Sequence, residues 1–393
     1  MRGPGWPSPR LARARHPSPT RGEGVDQRHR IAPLHGSVPP LPSWERGLGG
    51  EGIAGIGVYT PAHVMSAAEL GERAGITDEV VREKLGLLQK HIAAPEEHVS
   101  EMAAEAGRHA LAAASDRIGE DITAADVDGL IYFGSPHKEY PVWLAAPRIQ
   151  HLLGAERAWA FEVGGVSAGA PYALRVAADM MAADEGLRTV LIVAATKEST
   201  LLDYGNRRAR FMFNFGDGAA AAVLRRGRES SRILASAFLT DGSFSDHVRV
   251  PAGGSRLPAS HETVEQRQHF LDVQDVAGMK ERLDPLTLDR FVWAAIEAVR
   301  RSGCELSELG FLAMLHTKRS LFDAVLDRLE LHEEQSVYLD HYGHISAVDP
   351  LIALWEGERQ GRLRPGMLAV VLAAGTGYSW AATAVRWGRG AHV

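Results

Sequence analysis

The sequence has a single cysteine, Cys304, among 393 residues. One thiol excludes an internal disulfide framework and a thiolate zinc cluster. Cys304 sits in RRSGCELSE at the end of a helical stretch and reads as an incidental thiol. Lysine is scarce: six lysines stand beside 37 arginines. The 43 basic residues face 49 acidic ones, for a net charge of −6. That balance gives no footprint for nucleic acid. No apolar run reaches the ~20 residues that span a bilayer. No secretory apolar region follows Met1. A soluble cytoplasmic protein is the expectation, with no metal and no redox cofactor implied. The rest is ordinary for a globular chain, 45% hydrophobic and 23% charged. The length predicts two domains or one large duplicated one.

Residues 1–50 differ from the rest of the chain: they are rich in Pro, Gly, Arg and Ser and show no apolar periodicity. Such composition cannot bury enough apolar surface to offset chain entropy. The expectation is a disordered leader or a start placed too far upstream. The Arg-rich, acid-poor character also imitates a transit peptide.

From residue 51 buried strands alternate with helices, which predicts an α/β layered fold. IAGIGVYTP (53–61) reads as a strand, and EMAAEAGRHALAAA (101–114) as a helix. DGLIYFGSP (128–136) is a strand ending in a turn. WAFEVGGVSAGAPYALRVAADMM (159–181) is strand, glycine turn and helix, and TVLIVAATKES (189–199) another strand. The order then recurs in 289–303, 310–320, 338–361 and 367–383. Phe311 lies 181 residues after Leu130, and Ser346 lies 179 after Ser167. A near-constant offset over several elements predicts an internal duplication. The halves are expected at 51–228 and 229–393, packed about a pseudo-twofold axis with the site where they meet.

The sharpest local feature is GGVSAG (164–169), which sets Ser167 between a strand and an apolar helix. A nucleophile at a helix N-terminus gains the dipole and free N–H donors. GVSAG formally matches G-x-S-x-G. That elbow needs one central parallel sheet and the chain order Ser, acid, His, which a duplicated layout fits poorly. His316 ends a strand in AMLHTKRS, and His344 precedes Ser346 at a turn. Taken singly, each histidine reads as readily as a packed structural side chain. Together, three polar groups at element ends of a duplicated fold point to one shared site. AAGTGYSW (373–380) offers glycine N–H groups to an oxyanion, or is a bulged hairpin.

These segments resemble, in order, the β-ketoacyl-ACP synthase III family of the thiolase superfamily. The resemblance rests on GIGVYTP, KLGLLQKHIA (84–93), FGDGAAAAVL (215–224), HTKRSLFDAVLDRLEL (316–331), DHYGHISAVDPLIAL (340–354) and GTGYSWAATAVRWG (375–388). It implies a five-layer α-β-α-β-α thiolase-like fold. It implies a nucleophile that is cysteine in the family and Ser167 here. The family's histidine position is His316, and its asparagine position is His344. An oxyanion loop at Gly375–Gly377 is implied, with Thr376 where a glycine is usual. Tyr140 matches the aromatic residue that reaches across a homodimer, assembled through strand 189–195. The tryptophan and arginine that clamp coenzyme A in housekeeping members are replaced near Val80 and Lys84.

A serine cannot ionise as a thiol does and needs a general base. His316 or His344 is the expected base. The expected activity is acyl transfer from acyl-CoA or acyl carrier protein, through an acyl-Ser167 ester, in fatty-acid-like or polyketide biosynthesis. The alternatives are a catalytically silent homologue that acts as a partner subunit or acyl-binding scaffold and, more weakly, a hydrolase.

Overall fold

The computed structural model describes residues 51–227 and 231–388. The leader expected at 1–50 lies outside them. The core is one mixed sheet of nine strands. In chain order these are β1 (Glu51–Tyr59), β2 (Gly129–Tyr132), β3 (Trp159–Glu162), β4 (Thr189–Lys197) and β5 (Asp217–Arg226). The second half adds β6 (Ser231–Thr240), β7 (Leu309–Met314), β8 (Leu368–Gly375) and β9 (Ser379–Arg386). Their spatial order is β7-β8-β9-β6-β1-β5-β4-β2-β3. The halves join where β1 meets β6, through Gly52 opposite Arg232 and Ile53 opposite Ser231.

β2-β4-β5-β1 in the first half and β7-β8-β9-β6 in the second run in the same order, with β3 added at the first half's outer edge. Six helices complete the layers: α1 (Val99–Ile118), α2 (Ala145–Leu153), α3 (Gly169–Ala183), α4 (Asp284–Arg301), α5 (Arg319–Arg328) and α6 (Asp349–Arg359). Successive side chains of each pleated strand point to opposite faces, and here both faces are covered. On β4, Leu191 and Val193 pack with Ala106 and Ala110 of α1, whereas Val190 and Ile192 face α3 and α6. On β8, Ala369 and Val371 share that middle layer, while Val370 and Leu372 face Phe291 of α4 and Phe322 of α5. The result is five layers: α1 and α2, half-sheet, α3 and α6, half-sheet, α4 and α5. A Cβ on Gly57 would sit 2.2 Å from the Ala110 N, so glycine lets α1 lie directly on β1.

Two expectations need correction. The strand expected near residue 338 does not form; a parallel bridge between Leu312 and Ser336 stands where the first half has β3. The strand expected to form a dimer seam, 189–195, is interior. It is β4, paired with β2 on one side and β5 on the other, so its backbone groups are taken. Among the described residues the open edge of that half is β3, which pairs only with β2. No helix among the described residues is long and apolar enough to cross a membrane.

Candidate active site

Ser167 lies in a single 3-10 turn, Val166–Ala168, that runs straight into α3. Val166 holds φ at +46°, a left-handed conformation that costs a β-branched residue about 1–3 kcal/mol. Facing this turn is Ser346, with φ at +52°, in the turn before α6. Both turns thus spend conformational energy on where a serine points. Gly375, the last residue of β8, backs against the first of them. A Cβ there would fall 2.5 Å from the Gly165 carbonyl oxygen and 3.3 Å from the Ser167 N. Only glycine lets this strand end approach the Ser167 turn.

The Ser167 Oγ is 3.0 Å from the His344 Nε2 and 3.1 Å from the Ser346 Oγ. The His344 Nδ1 donates to the Asp349 Oδ2 at 2.6 Å. Asp349 is the first residue of α6, where the helix dipole favours a carboxylate. It is fully buried and also accepts from the Ile345 N at 2.6 Å and the His316 N at 2.9 Å. Burial alone would push His344 down, but the Asp349 carboxylate outweighs it and holds the imidazole above its ordinary value. Asp349 also fixes the tautomer, with the proton on Nδ1 and the Nε2 lone pair toward Ser167. Phe215 meets His344 edge-on at 4.9 Å between ring centroids.

His316 is in the same cavity and differently engaged. Its Nε2 donates to the Gly86 carbonyl at 3.0 Å, so its Nδ1 accepts from the Asn214 Nδ2 at 3.0 Å. Burial pushes it below the usual histidine range, and it stays neutral. Asn214 is placed by a buried ammonium. The Lys90 Nζ donates at 2.7 Å to the carbonyls of Phe213 and Phe215, the residues on either side of Asn214, and lies 3.1 Å from the Tyr204 hydroxyl. Burial pushes Lys90 down to about 7. The Asn214 carbonyl accepts from the His344 N. One loop thus ties both histidines together.

Ser167, Asn214, His316, His344 and Gly375 line a cavity of about 430 Å³. Lys84, Arg208, Lys280 and Lys318 add positive charge to its wall. A second cavity, about 1040 Å³, lies across the Gly165–Val166 backbone and is lined by Tyr140, Trp143 and Tyr172. Thr376 and Tyr378 border both cavities. Tyr140 is 66% exposed and stacks edge-on with Trp143 at 5.7 Å. The structure therefore gathers Ser167, His316, His344 and Gly375, sets Thr376 and Gly377 at the rim, and leaves Tyr140 apart. Cys304 lies away from the site, with the Arg386 guanidinium at 3.2 Å from its sulfur.

Sequence reasoning missed Asp349, Asn214, Ser346 and Lys90 as site residues. Asp349 had a signal: it stands five residues after His344, directly before Pro350, where a helix starts. Asn214 and Lys90 had none beyond their place beside FGDG and in KLGLLQK.

Comparison with known proteins agrees over both halves. The family description 3-Oxoacyl-[acyl-carrier-protein (ACP)] synthase III matches residues 161–242, and its C-terminal counterpart matches 299–387. A β-ketoacyl-[acyl-carrier-protein] synthase III of Symbiobacterium thermophilum is 32% identical over 340 residues, covering 86% of this chain and 98% of that protein. One from Caldanaerobacter subterraneus is 31% identical over 343 residues, with the same coverage. Among solved structures, the 3-oxoacyl-[acyl-carrier-protein] synthase III of Aquifex aeolicus superposes with a TM-score of 0.72 at 26% identity, over 86% of this chain and all of that one. The priming β-ketosynthase of the R1128 polyketide pathway gives 0.75 at 25% identity, over 86% and 97%.

Proposed function

The chain belongs to the β-ketoacyl-ACP synthase III family, condensing-type acyltransferases that work on acyl thioesters, and within it we propose an enzyme whose acyl carrier is Ser167. The observation that carries this is the unbroken line from Ser167 through His344 to Asp349. It has the geometry of a nucleophile, a general base and an orienting carboxylate. Where the family pairs a thiol with His and Asn, this chain has a hydroxyl, a base for it, and a partner for that base.

The steps follow from the bonds. The His344 Nε2 takes the Ser167 proton as the Oγ attacks the thioester carbonyl carbon. The developing oxyanion is stabilised by N–H donors of the Ser167 turn and the Gly375–Gly377 hairpin. The carbon–sulfur bond breaks, and the His344 Nε2–H protonates the departing thiolate. CoA or acyl carrier protein leaves as the thiol, and an oxygen ester remains on Ser167. His344 is then free to take a proton from an acceptor hydroxyl or amine that attacks this ester. An oxygen ester is less reactive toward carbanions than a thioester, so transfer to oxygen or nitrogen, or slow condensation, suits the site. Neutral His316, held between Gly86 and Asn214, forms a fixed wall beside the reacting carbonyl. The positive wall of the smaller cavity suits a phosphate-bearing donor, and the larger cavity suits the acyl group.

We further propose a homodimer that pairs along β3, with the Tyr140 loop reaching toward the partner's larger cavity. The exposed Val142 and Leu144 beside Tyr140 support this. The function is tested by following thiol release from a series of acyl-CoA donors. Wild type should release CoA with at least one of them, and Ser167→Ala should not. Equal release by both would refute the reading.

A further inference from the structure

Ser167 has two hydrogen-bond neighbours at nearly equal distance, and only one of them is the base. The other is the Ser346 Oγ, at 3.1 Å. Ser346 is fully buried, so no bulk water competes for its hydroxyl. The residue keeps φ at +52° in the turn before α6, so its place is held at a conformational cost. Acyl transfer through Ser167, His344 and Asp349 gives this hydroxyl no role.

The hydrogens can be counted, because each serine hydroxyl has one. With His344 in its neutral, working form, the Nδ1 proton goes to Asp349 and the Nε2 lone pair can only accept. The Ser167 hydrogen therefore goes to His344. The 3.1 Å contact is then a hydrogen bond only if Ser346 donates and the Ser167 Oγ accepts. The neighbouring buried carboxyl of Glu198 closes its own bond on the Ser135 hydroxyl, at 2.6 Å. Ser346 thus aims an O–H at the atom that becomes the ester oxygen.

What that O–H contributes depends on the step. In acylation the Ser167 Oγ already accepts this bond before it attacks, and it carries no charge once the ester has formed, so the gain is small. In the second half-reaction an acceptor N–H or O–H adds to the ester carbonyl carbon while His344 takes its proton. The bond between that carbon and the Ser167 Oγ then breaks, the electron pair returns to the Oγ, and the His344 Nε2–H supplies the proton. A serine alkoxide is a far poorer leaving group than a thiolate, whose thiol has a pKa of about 8.5. A donor on the Oγ bonds most strongly as this charge develops, and only such a difference between ground state and transition state speeds the step.

We propose that Ser346 is a further catalytic residue, the hydrogen-bond donor that stabilises the Ser167 Oγ as it leaves the acyl group. The proposal rests on the reading of Ser167 as the acyl carrier. It meets a need that a cysteine carrier would not have, because a thiolate departs without such help.

The test uses the full chain as wild type, Ser346→Ala, Ser346→Gly, Ser167→Ala, Ser167→Cys, and Ser167→Cys combined with Ser346→Ala. Each is loaded with the fastest donor of an acetyl-to-octanoyl-CoA series, freed of excess donor, and mixed with neutral hydroxylamine as a small acceptor. Gain and loss of the acyl group are read by intact mass. Ser346→Ala should slow acylation by no more than about fivefold and slow acyl loss by about 10²-fold, the loss that goes with one donor to a developing oxyanion. Ser346→Gly also lacks the hydroxyl but relieves the left-handed φ. It should slow acyl loss as much as Ser346→Ala, and it carries the test if Ser346→Ala does not fold. In the Ser167→Cys background, Ser346→Ala should slow acyl loss by less than about threefold. Unchanged acyl loss in either folded Ser346 variant would overturn the proposal. So would equal slowing in the serine and cysteine backgrounds, because Ser346 would then only shape the turn. Equal labelling of wild type and Ser167→Ala would instead overturn the nucleophile reading, and this inference with it.

Discussion

Asp349 stands one helical turn beyond His344 and closes a 2.6 Å hydrogen bond onto its Nδ1 from the first position of α6. The bond ties His344 to a rigid helix. It also explains why a fully enclosed histidine stays basic. Asp349 accepts from the His316 N as well, so one carboxylate registers both histidines against Ser167.

Replacing Asp349 with Asn should lower acylation by about 10²–10⁴-fold, the range over which a positioned base contributes. The pH profile gives the sign. His344 acts only when unprotonated, and its folded value is raised above 6.5. Wild-type acylation should therefore fall as pH drops through a value above 6.5. In Asp349→Asn the main raising influence is gone and burial remains, so the acid fall should move to lower pH than in wild type. Rapid-quench acylation rates across pH check both statements.

Lys90→Met should destabilise the chain by about 3 kcal/mol, because the carbonyls of Phe213 and Phe215 lose their buried donor. Acylation should fall with it, since Asn214 is released from His316. The folded Lys90 value of about 7 lies below its ordinary 10.5. The cost of holding the charge is thus fully present below about 7 and is relieved as pH rises toward 10.5. Denaturant melts should show wild type gaining stability over that interval, and Lys90→Met losing the gain.

The proposed dimer places Tyr140 and Val142 at a contact between copies. Light scattering at micromolar concentration should give twice the chain mass for wild type. Tyr140→Asp and Val142→Asp should shift it toward the single chain. A wild type that runs as one chain would refute the assembly.

Much of this architecture is legible in the sequence, because buried strands and alanine-rich helices leave strong periodic signals. The turn that holds Ser167 showed itself through Gly164, Gly165 and Gly169, and the offset to Ser346 exposed the second turn. What stayed hidden are relations that span the chain. Asp349 reads as a helix start beside Pro350, and its three donors are gathered only by folding. Lys90 is 123 residues from Phe213 in sequence. The choice between His316 and His344 as the base also needed coordinates: both end up buried, but only the His344 Nε2 faces the serine. The strand expected at a dimer seam turned out to be interior, because sequence order does not tell an interior strand from an edge. β4 and β3 flank the same helix, and only sheet pairing separates them.

The central claim is that Ser167 carries the acyl group. The most direct measurement is intact mass, with peptide mapping, after mixing each acyl-CoA with wild type, Ser167→Ala and Ser167→Cys. Wild type should gain one acyl group on the peptide holding Ser167. Ser167→Ala should gain none, and Ser167→Cys at least as much as wild type, as a thioester that neutral hydroxylamine removes faster than the wild-type ester. Identical labelling of wild type and Ser167→Ala, or none in wild type with every donor while Ser167→Cys is labelled, would contradict the account.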